Sequence, residues 1–166
     1  NYSLQEAQLR ALKWQLDLAA KLDLPVIIHC RQAEKDMVNV LRDWTLSYKS
    51  PNGQGLGVIH CFSGESDIDR QYLDMGFYLS IGAYIRYPAS QSAHSVIRKL
   101  PEYRLLVETD CPFSPPQRHR GQRNEPAYLP ITVVALAQIR EELPETVARR
   151  TTKNAQALFR LGVSKK

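Results

Sequence analysis

The sequence alternates four short apolar segments with longer stretches of helical periodicity. The apolar segments span residues 24–29, 57–62, 77–81 and 104–108. Helices are predicted before, between and after them, the first over residues 3–22, with a capping box at Ser3-Leu4-Gln5-Glu6. Regular alternation of this kind is typical of an α/β fold with a parallel sheet and helical crossovers. Four strands form either a small open sheet or part of a barrel, and the pattern does not choose between them.

The first apolar segment, residues 24–29, runs without the polar alternation of a half-exposed strand. Continuous apolar runs are typical of strands covered on both faces, so we expect this strand to be buried on both sides. The composition agrees with a folded chain, because 43% of the residues are hydrophobic and 23% are charged. We predict one domain over residues 1–166, with two helices at its C-terminal end.

Composition also limits where the chain works and what it contacts. No apolar run has the roughly 20 residues of a membrane span, and the N-terminus shows no signal-peptide pattern. Three cysteines without paired spacing predict a reducing compartment, which favours the cytoplasm. The net charge of +5 permits an anionic partner without requiring one. Because the sequence begins without Met, we expect its N-terminus to have been shortened.

Three of the four predicted strands end in a residue that can bind metal, namely His29, His60 and Asp110. The carboxyl ends of parallel strands form the ligand-binding edge of α/β sheets and barrels. Imidazole and carboxylate together suit Zn²⁺, Mn²⁺ or another divalent ion. A single histidine is more often a packed or capping group, but that interpretation gives no reason for three such residues to fall at equivalent positions. A metal site is therefore predicted.

A cysteine follows each candidate ligand, namely Cys30, Cys61 and Cys111. Alternation along a strand would turn these thiols away from the site, so we expect them to be buried packing residues. A cysteine nucleophile paired with a histidine is the less favoured alternative. His94 and His119 lie outside the strand ends, and surface positions are expected for both.

A basic loop follows the fourth strand. Residues 117–126 contain Arg118, Arg120 and Arg123, and Arg31 directly follows the first strand end. Guanidinium groups match the geometry of phosphate, so a phosphate-bearing substrate is predicted at this rim. A solvated basic loop is the plainer alternative. Glu108, two residues before Asp110, should lie on the same strand face and support a ligand from behind.

Four ordered segments together resemble the signature motifs of the TatD family. They are PVIIHCR at 25–31, GVIHCFSG at 57–64, LLVETDCP at 105–112 and RGQRNEPAY at 120–128, and the C-terminal Asn154-Ala155 to Leu158-Phe159 is also similar. The resemblance covers nearly the whole chain. It implies a metal-dependent, amidohydrolase-like (β/α)₈ barrel of the TIM type and the activity of a deoxyribonuclease.

Carried over by position, the resemblance implies that His29 and His60 bind one divalent ion and that Asp110 binds a second, where the ions are Mg²⁺, Mn²⁺ or Zn²⁺. Asp110 would also handle the proton of the attacking water. The resemblance places Arg31 and the segment Arg123, Asn124 and Glu125 at the substrate rim. DNA is the implied substrate, with no membrane and no obligate protein partner.

Two motifs of the family are not found in the sequence. They are an Asp-x-His-x-His pattern in the first strand of the family's complete barrel and a metal-bridging Glu in the fourth strand of that barrel. A complete barrel typically has about 250 residues, so we expect this chain to be the C-terminal half, with four strands. Two imidazoles and one aspartate would hold metal weakly, and we expect the chain alone to be inactive or nearly so. Two alternatives remain open: hydrolysis of a D-aminoacyl-tRNA ester, and a half-barrel that binds nucleic acid without catalysis.

Overall fold

The computed structural model describes residues 3–48, 55–62, 64 and 66–162. Ser63, part of the second motif, lies outside the described residues, as does most of the predicted loop at 51–55. Six α-helices and four strands occupy the described part of the chain: α1 (Gln5–Leu22), β1 (Val26–His29), α2 (Glu34–Ser47), β2 (Gly57–His60), α3 (Ser66–Asp74), β3 (Tyr78–Ile81), α4 (His94–Lys99), β4 (Leu105–Val107), α5 (Leu129–Arg140) and α6 (Pro144–Phe159).

The four strands form one sheet in the order β1-β2-β3-β4, and every neighbouring pair is parallel. The predicted α/β architecture with a parallel sheet is therefore confirmed. Each crossover contains a helix, since parallel neighbours need a connection long enough to return the chain to the same edge. In the register of the first pair, His29 lies directly opposite His60.

The main core lies on the face of the sheet that carries the crossover helices. Strand residues Ile28, Ile59 and Leu79 pack there against helical side chains such as Leu41 and Leu136, and each of these five is at most 4% exposed. A smaller cluster lies on the opposite face, where Leu158 of α6 contacts the strand residues Val58, Tyr78 and Leu106. The last helix thus packs on the face of the sheet opposite to the crossover helices.

The prediction that the first strand is buried on both faces is wrong. Ile28 is buried, but Ile27 on the other face is 66% exposed. β1 is the edge strand of the sheet, and the small cluster around Leu158 does not extend across it. The apolar segment therefore has one covered face and one open one.

The predicted capping box is also wrong. α1 begins at Gln5, and its N-cap residue is Leu4, with no side-chain hydrogen bond to the first turn. The other end agrees closely with the prediction, since the helix finishes at Leu22 and Asp23 adopts a left-handed conformation with φ of 51°. None of the helices in the described ranges has both the length and the hydropathy needed to cross a membrane.

Candidate metal centre

The two strand-end histidines lie side by side on the face of the sheet that also carries Ile27 and Val58. Their rings are 5.8 Å apart between centroids and tilted by 37°. The parallel register explains this proximity, because it pairs His29 with His60 and places both side chains on the same face of the sheet. His29 is exposed at the sheet edge, whereas the side chain of His60 is only 18% exposed.

His60 lies between two carboxylates. Its Nδ1 is 2.8 Å from Oε2 of Glu108, and its Nε2 is 3.3 Å from Oδ1 of Asp110. Glu108 reaches this position because its backbone N–H donates to the carbonyl of Ile81, which extends the β3–β4 ladder by one step. The Glu108 side chain is 17% exposed and that of Asp110 is 30% exposed. His60, Glu108 and Asp110 are therefore in direct contact at one edge of the sheet, and His29 lies beside them through its ring contact with His60.

The separation between His60 Nε2 and Asp110 Oδ1 fits a shared ion. Bonds of 2.0–2.1 Å in a tetrahedral site put two ligand atoms about 3.3 Å apart, which is the distance between these two atoms. The 2.8 Å contact places the Glu108 carboxylate to accept from Nδ1–H of His60, and in that tautomer the lone pair of Nε2 is available to a metal. A carboxylate behind a ligating histidine is the usual support of such sites. The donor set thus suits a divalent ion.

Cys61 does not turn away from the site as alternation had predicted. The strand ends at His60, and Cys61 adopts a left-handed φ of 51°, which breaks the alternation. Its sulfur, a ring nitrogen of His60 and a Glu108 oxygen lie within 4.8 Å of one another. Burial, together with the carboxylates of Glu108 and Asp110, raises the pKa of the Cys61 thiol to about 12. The group is therefore a protonated thiol at neutral pH.

Two groups of side chains around His60 are therefore candidate metal ligands. The set of His60, Cys61 and Glu108 is compact, but the contact of 2.8 Å between His60 and Glu108 is already a hydrogen bond. Ligand atoms of one ion lie about 3.3 Å apart, so the closer pair of His60 and Glu108 is engaged in its own hydrogen bond. On the other side of the imidazole, Nε2 of His60 and Oδ1 of Asp110 stand at that separation, whereas His29 approaches the pair only through its ring, 5.8 Å from that of His60 between centroids.

Asp110 is held by its own loop. Its φ of 54° is left-handed, a conformation that aspartate adopts more readily than most residues. Oδ2 accepts a hydrogen bond of 3.1 Å from the hydroxyl of Ser114, which leaves Oδ1 facing His60. The role of Ser114 was not predicted from the sequence, because a serine four residues after Asp110 belongs to no recognised motif.

Asn124 is buried, with 1% of its surface exposed, so its position does not support the predicted contact with substrate. Its amide nitrogen donates to the carbonyls of Thr109, Phe113 at 2.7 Å and Ser114 at 3.2 Å. Its Oδ1 accepts from the backbone N–H of Glu125 at 2.9 Å. Asn124 therefore ties the loop after β4 together from the inside, and it acts on the site through the shape of that loop.

The three charged rim residues are accessible. Arg31 is exposed and, with His29, lines a cleft of about 450 Å³ between α1 and the start of α2. The side chain of Arg123 is 76% exposed and that of Glu125 is 45% exposed, and the two form an ion pair with 3.2 Å between Nε and Oε1. In the part of the chain that the structure describes, no hydrogen bond or ion pair joins these side chains to His29 or His60.

The surface positions expected for the other two histidines are only partly correct. His94 is half-buried, and its Nε2 is 2.8 Å from the carbonyl oxygen of Ile85. His119 is also half-buried and stacks on Tyr128, with centroids 4.1 Å apart and parallel planes. The His94 ring has a hydrogen-bond partner and the His119 ring a stacking partner, both away from the strand ends.

Comparison with known proteins places this arrangement in a family. Residues 1–160 match the family described as TatD related DNase. The chain belongs to this family. The resemblance inferred from the four motifs is therefore confirmed over almost the entire sequence.

Individual relatives of the TatD family agree with this assignment. The chain is 36% identical over 159 residues to an uncharacterized metal-dependent hydrolase, YabD of Bacillus subtilis, covering 96% of this chain and 60% of the relative. It is also 36% identical over 166 residues to a 3'-5' ssDNA/RNA exonuclease TatD of Erwinia amylovora, covering 97% and 62%. The crystal structure of YJJV, a TatD homolog from Escherichia coli K12, matches with a TM-score of 0.82 at 30% identity, covering 97% and 61%.

The chain thus spans about 60% of the length of the TatD relatives that it matches. The expectation that it corresponds to the C-terminal half of a barrel is not confirmed by this coverage, which exceeds one half. Four parallel strands with their helices are the part of the predicted fold that the structure and the structural match support.

Proposed function

We propose that the protein is a metal-dependent hydrolase that cleaves phosphodiester bonds of DNA. The observation that carries this proposal is the arrangement around His60, with Glu108 on Nδ1 at 2.8 Å and Asp110 facing Nε2 at 3.3 Å. An imidazole fixed by one carboxylate and facing a second is suited to hold a divalent ion at the open edge of a parallel sheet.

Each residue of the cluster has a separate task in this proposal. His29, His60 and Asp110 hold divalent metal, and Glu108 keeps Nδ1 of His60 protonated so that Nε2 is free to bind. A bound ion supplies a Lewis acid that acidifies water and offsets the charge of the phosphodiester. Asp110 accepts the proton of the attacking water. The Ser114 hydroxyl orients the Asp110 carboxylate by donating a hydrogen bond to Oδ2. Two ions are implied by the family resemblance.

Support for a nucleic-acid substrate comes from charge. Arg31 lies in the cleft that His29 lines, and Arg123 is exposed on the loop that follows Asp110. Arginine forks bind phosphate oxygens in bidentate geometry, and Glu125 orients the guanidinium of Arg123. The Erwinia amylovora relative is named for action on single-stranded DNA and RNA. We propose that this chain acts on DNA through the same edge of the sheet.

The 166-residue chain by itself is expected to be inactive or nearly so. The predicted ligands are two imidazoles and one carboxylate, and this set is too small to hold two ions tightly. The three cysteines are free thiols, and we propose that the protein works in the cytoplasm, where thiols stay reduced.

A chimera tests the proposed activity. This chain replaces the matching 62% of the Erwinia amylovora relative, and hydrolysis of single-stranded DNA is measured with added Mn²⁺, beside release of the amino acid from a D-aminoacyl-tRNA. We expect metal-dependent DNA cleavage and a loss of more than about 100-fold in His60→Ala. His94→Gln is the matched control, because His94 lies outside the site, and it should retain activity.

Three outcomes would contradict the proposal. Cleavage that survives His60→Ala would show that the cluster is not the site. Ester hydrolysis without DNA cleavage would favour the deacylase alternative. Metal-dependent cleavage by the 166-residue chain alone, lost in His60→Ala, would overturn the expectation that this chain is inactive by itself.

A further inference from the structure

Phe113 is exposed beside the candidate metal centre. Seventy per cent of its surface is open to solvent, and it lies three residues after Asp110 in the loop that leaves the carboxyl end of β4. Scattered exposed apolar side chains are common on protein surfaces, so exposure alone carries no function. The position and the rigidity of this residue distinguish it from others.

The backbone around Phe113 is fixed on both sides. Its N–H donates to the carbonyl of Asp110 at 2.8 Å, and its carbonyl accepts from the buried Asn124 amide at 2.7 Å. The neighbouring Pro112 carbonyl accepts from the backbone N–H of Asn124 at 3.1 Å, and the Pro115 carbonyl accepts from the Tyr87 hydroxyl at 2.6 Å. An aromatic ring with two rotatable bonds on such a backbone offers contact area at little entropic expense.

The same loop carries positive charge. Residues 111–126 contain three arginines and one glutamate. Arg120 lies over the ring of Tyr87, 5.3 Å from its centroid, which holds this guanidinium close to the anchored part of the loop. A basic surface that follows a phosphate backbone, combined with an exposed aromatic ring, is the usual composition of single-strand binding sites.

We propose that Phe113 is the stacking platform for a base of single-stranded nucleic acid whose phosphate lies at the metal centre. Asn124 is the positioning residue that holds the platform and Asp110 in one fixed loop. This inference rests on the proposed function, because it assigns the base contact of the same site. It also requires unpaired bases, since a base inside a duplex cannot present its face to the ring.

The test is metal-free binding by the 166-residue chain. Fluorescence anisotropy in EDTA measures the Kd of labelled oligothymidylate and of the same strand with abasic nucleotides. Phe113→Ala should weaken oligothymidylate binding by about 5- to 150-fold, the effect of losing one stacked base, and leave abasic binding unchanged. Phe113→Trp should retain affinity. Phe113→Leu should behave like Phe113→Ala, because leucine keeps apolar area without a π face.

Tyr103→Ala is the matched control. Tyr103 is an aromatic residue of similar exposure, 65%, before the amino end of β4 and so at the opposite edge of the sheet. The Tyr103→Ala variant should bind oligothymidylate with the same Kd as the unmodified chain. Thermal unfolding of each variant, followed by circular dichroism, checks that the folded state is retained.

The inference is overturned if the unmodified chain does not bind oligothymidylate, if it binds both strands equally, or if Phe113→Ala changes Kd less than twofold. These outcomes leave the phosphodiesterase proposal standing, since cleavage is measured separately on the chimera. Conversely, base-dependent binding with no cleavage by the chimera would support the platform and contradict the proposed activity.

Discussion

Replacing Asn124 with alanine should destabilise the protein far more than its position in a surface loop suggests. The side chain is 1% exposed, and its two amide hydrogens are shared among the carbonyls of Thr109, Phe113 and Ser114. Its oxygen accepts from the backbone of Glu125. Alanine removes every one of these contacts and adds none.

The magnitude follows from the capacity of the amide group. Two hydrogens and one accepting oxygen give three hydrogen bonds at a time, each with a net contribution of about 1 kcal/mol. Carbonyls left buried without a donor add to the loss, whereas any that reach water reduce it. We therefore expect Asn124→Ala to lower the free energy of unfolding by about 3 kcal/mol, a large part of the 5–15 kcal/mol typical of a domain.

Urea unfolding followed by circular dichroism measures this change. Gln122→Ala is the control on the same loop, because Gln122 is exposed and contacts only His119 among its described hydrogen bonds; it should shift the free energy by less than about 0.5 kcal/mol. A loss below about 1 kcal/mol in Asn124→Ala would refute the argument that this amide organises the loop.

Three further results are expected. Glu108→Gln should weaken divalent metal binding by at least about 10-fold in calorimetry, because a neutral amide supports His60 less well than a carboxylate; unchanged affinity would contradict that role. Burial alone would raise the pKa of Glu142, but hydrogen bonds from Arg140 and Arg150 lower it below 4.5. The ionised Glu142 therefore stabilises the folded protein above pH 4.5. This stabilisation is lost as the pH falls through the lowered pKa of the folded state. In urea unfolding Glu142→Gln should therefore be destabilised at pH 7, and the difference from the unmodified protein should shrink as the pH falls below 4.5; a difference that stays constant with pH would oppose this. With iodoacetamide at neutral pH, exposed Cys111 should react before Cys61, whose pKa of about 12 keeps it a thiol; peptide mapping that found Cys61 modified first would contradict the geometry.

The sequence was sufficient to predict the sheet and the central cluster, because both depend on short-range patterns. Alternating apolar and amphipathic segments predict parallel strands, and each observed strand lies within its predicted segment. His29, His60 and Asp110 lie at the same edge because parallel strands present their carboxyl ends there. This part of the site follows from position in the strand alone.

The errors have long-range causes. Burial of Ile27 depends on what lies across the sheet from β1, which an apolar run does not specify. Cys61 joins the site because the chain turns at a left-handed residue directly after His60. Asn124 is buried because it bonds to carbonyls 10 to 15 residues away. Loop contacts of this kind have no periodicity. The sequence around Asn124, which stands between Arg123 and Glu125, therefore gives no sign that its side chain is buried.

The most direct test of the account is calorimetric titration of Mn²⁺ into the 166-residue chain, its His60→Ala and Asp110→Asn variants, and Asp74→Asn. Asp74 is a matched control, since it is an exposed carboxylate paired only with Arg70 among its described ion pairs. We expect binding by the unmodified chain and by Asp74→Asn, and an affinity at least about 10-fold lower in the other two. Equal affinity in all four proteins would contradict a metal centre at His60 and Asp110.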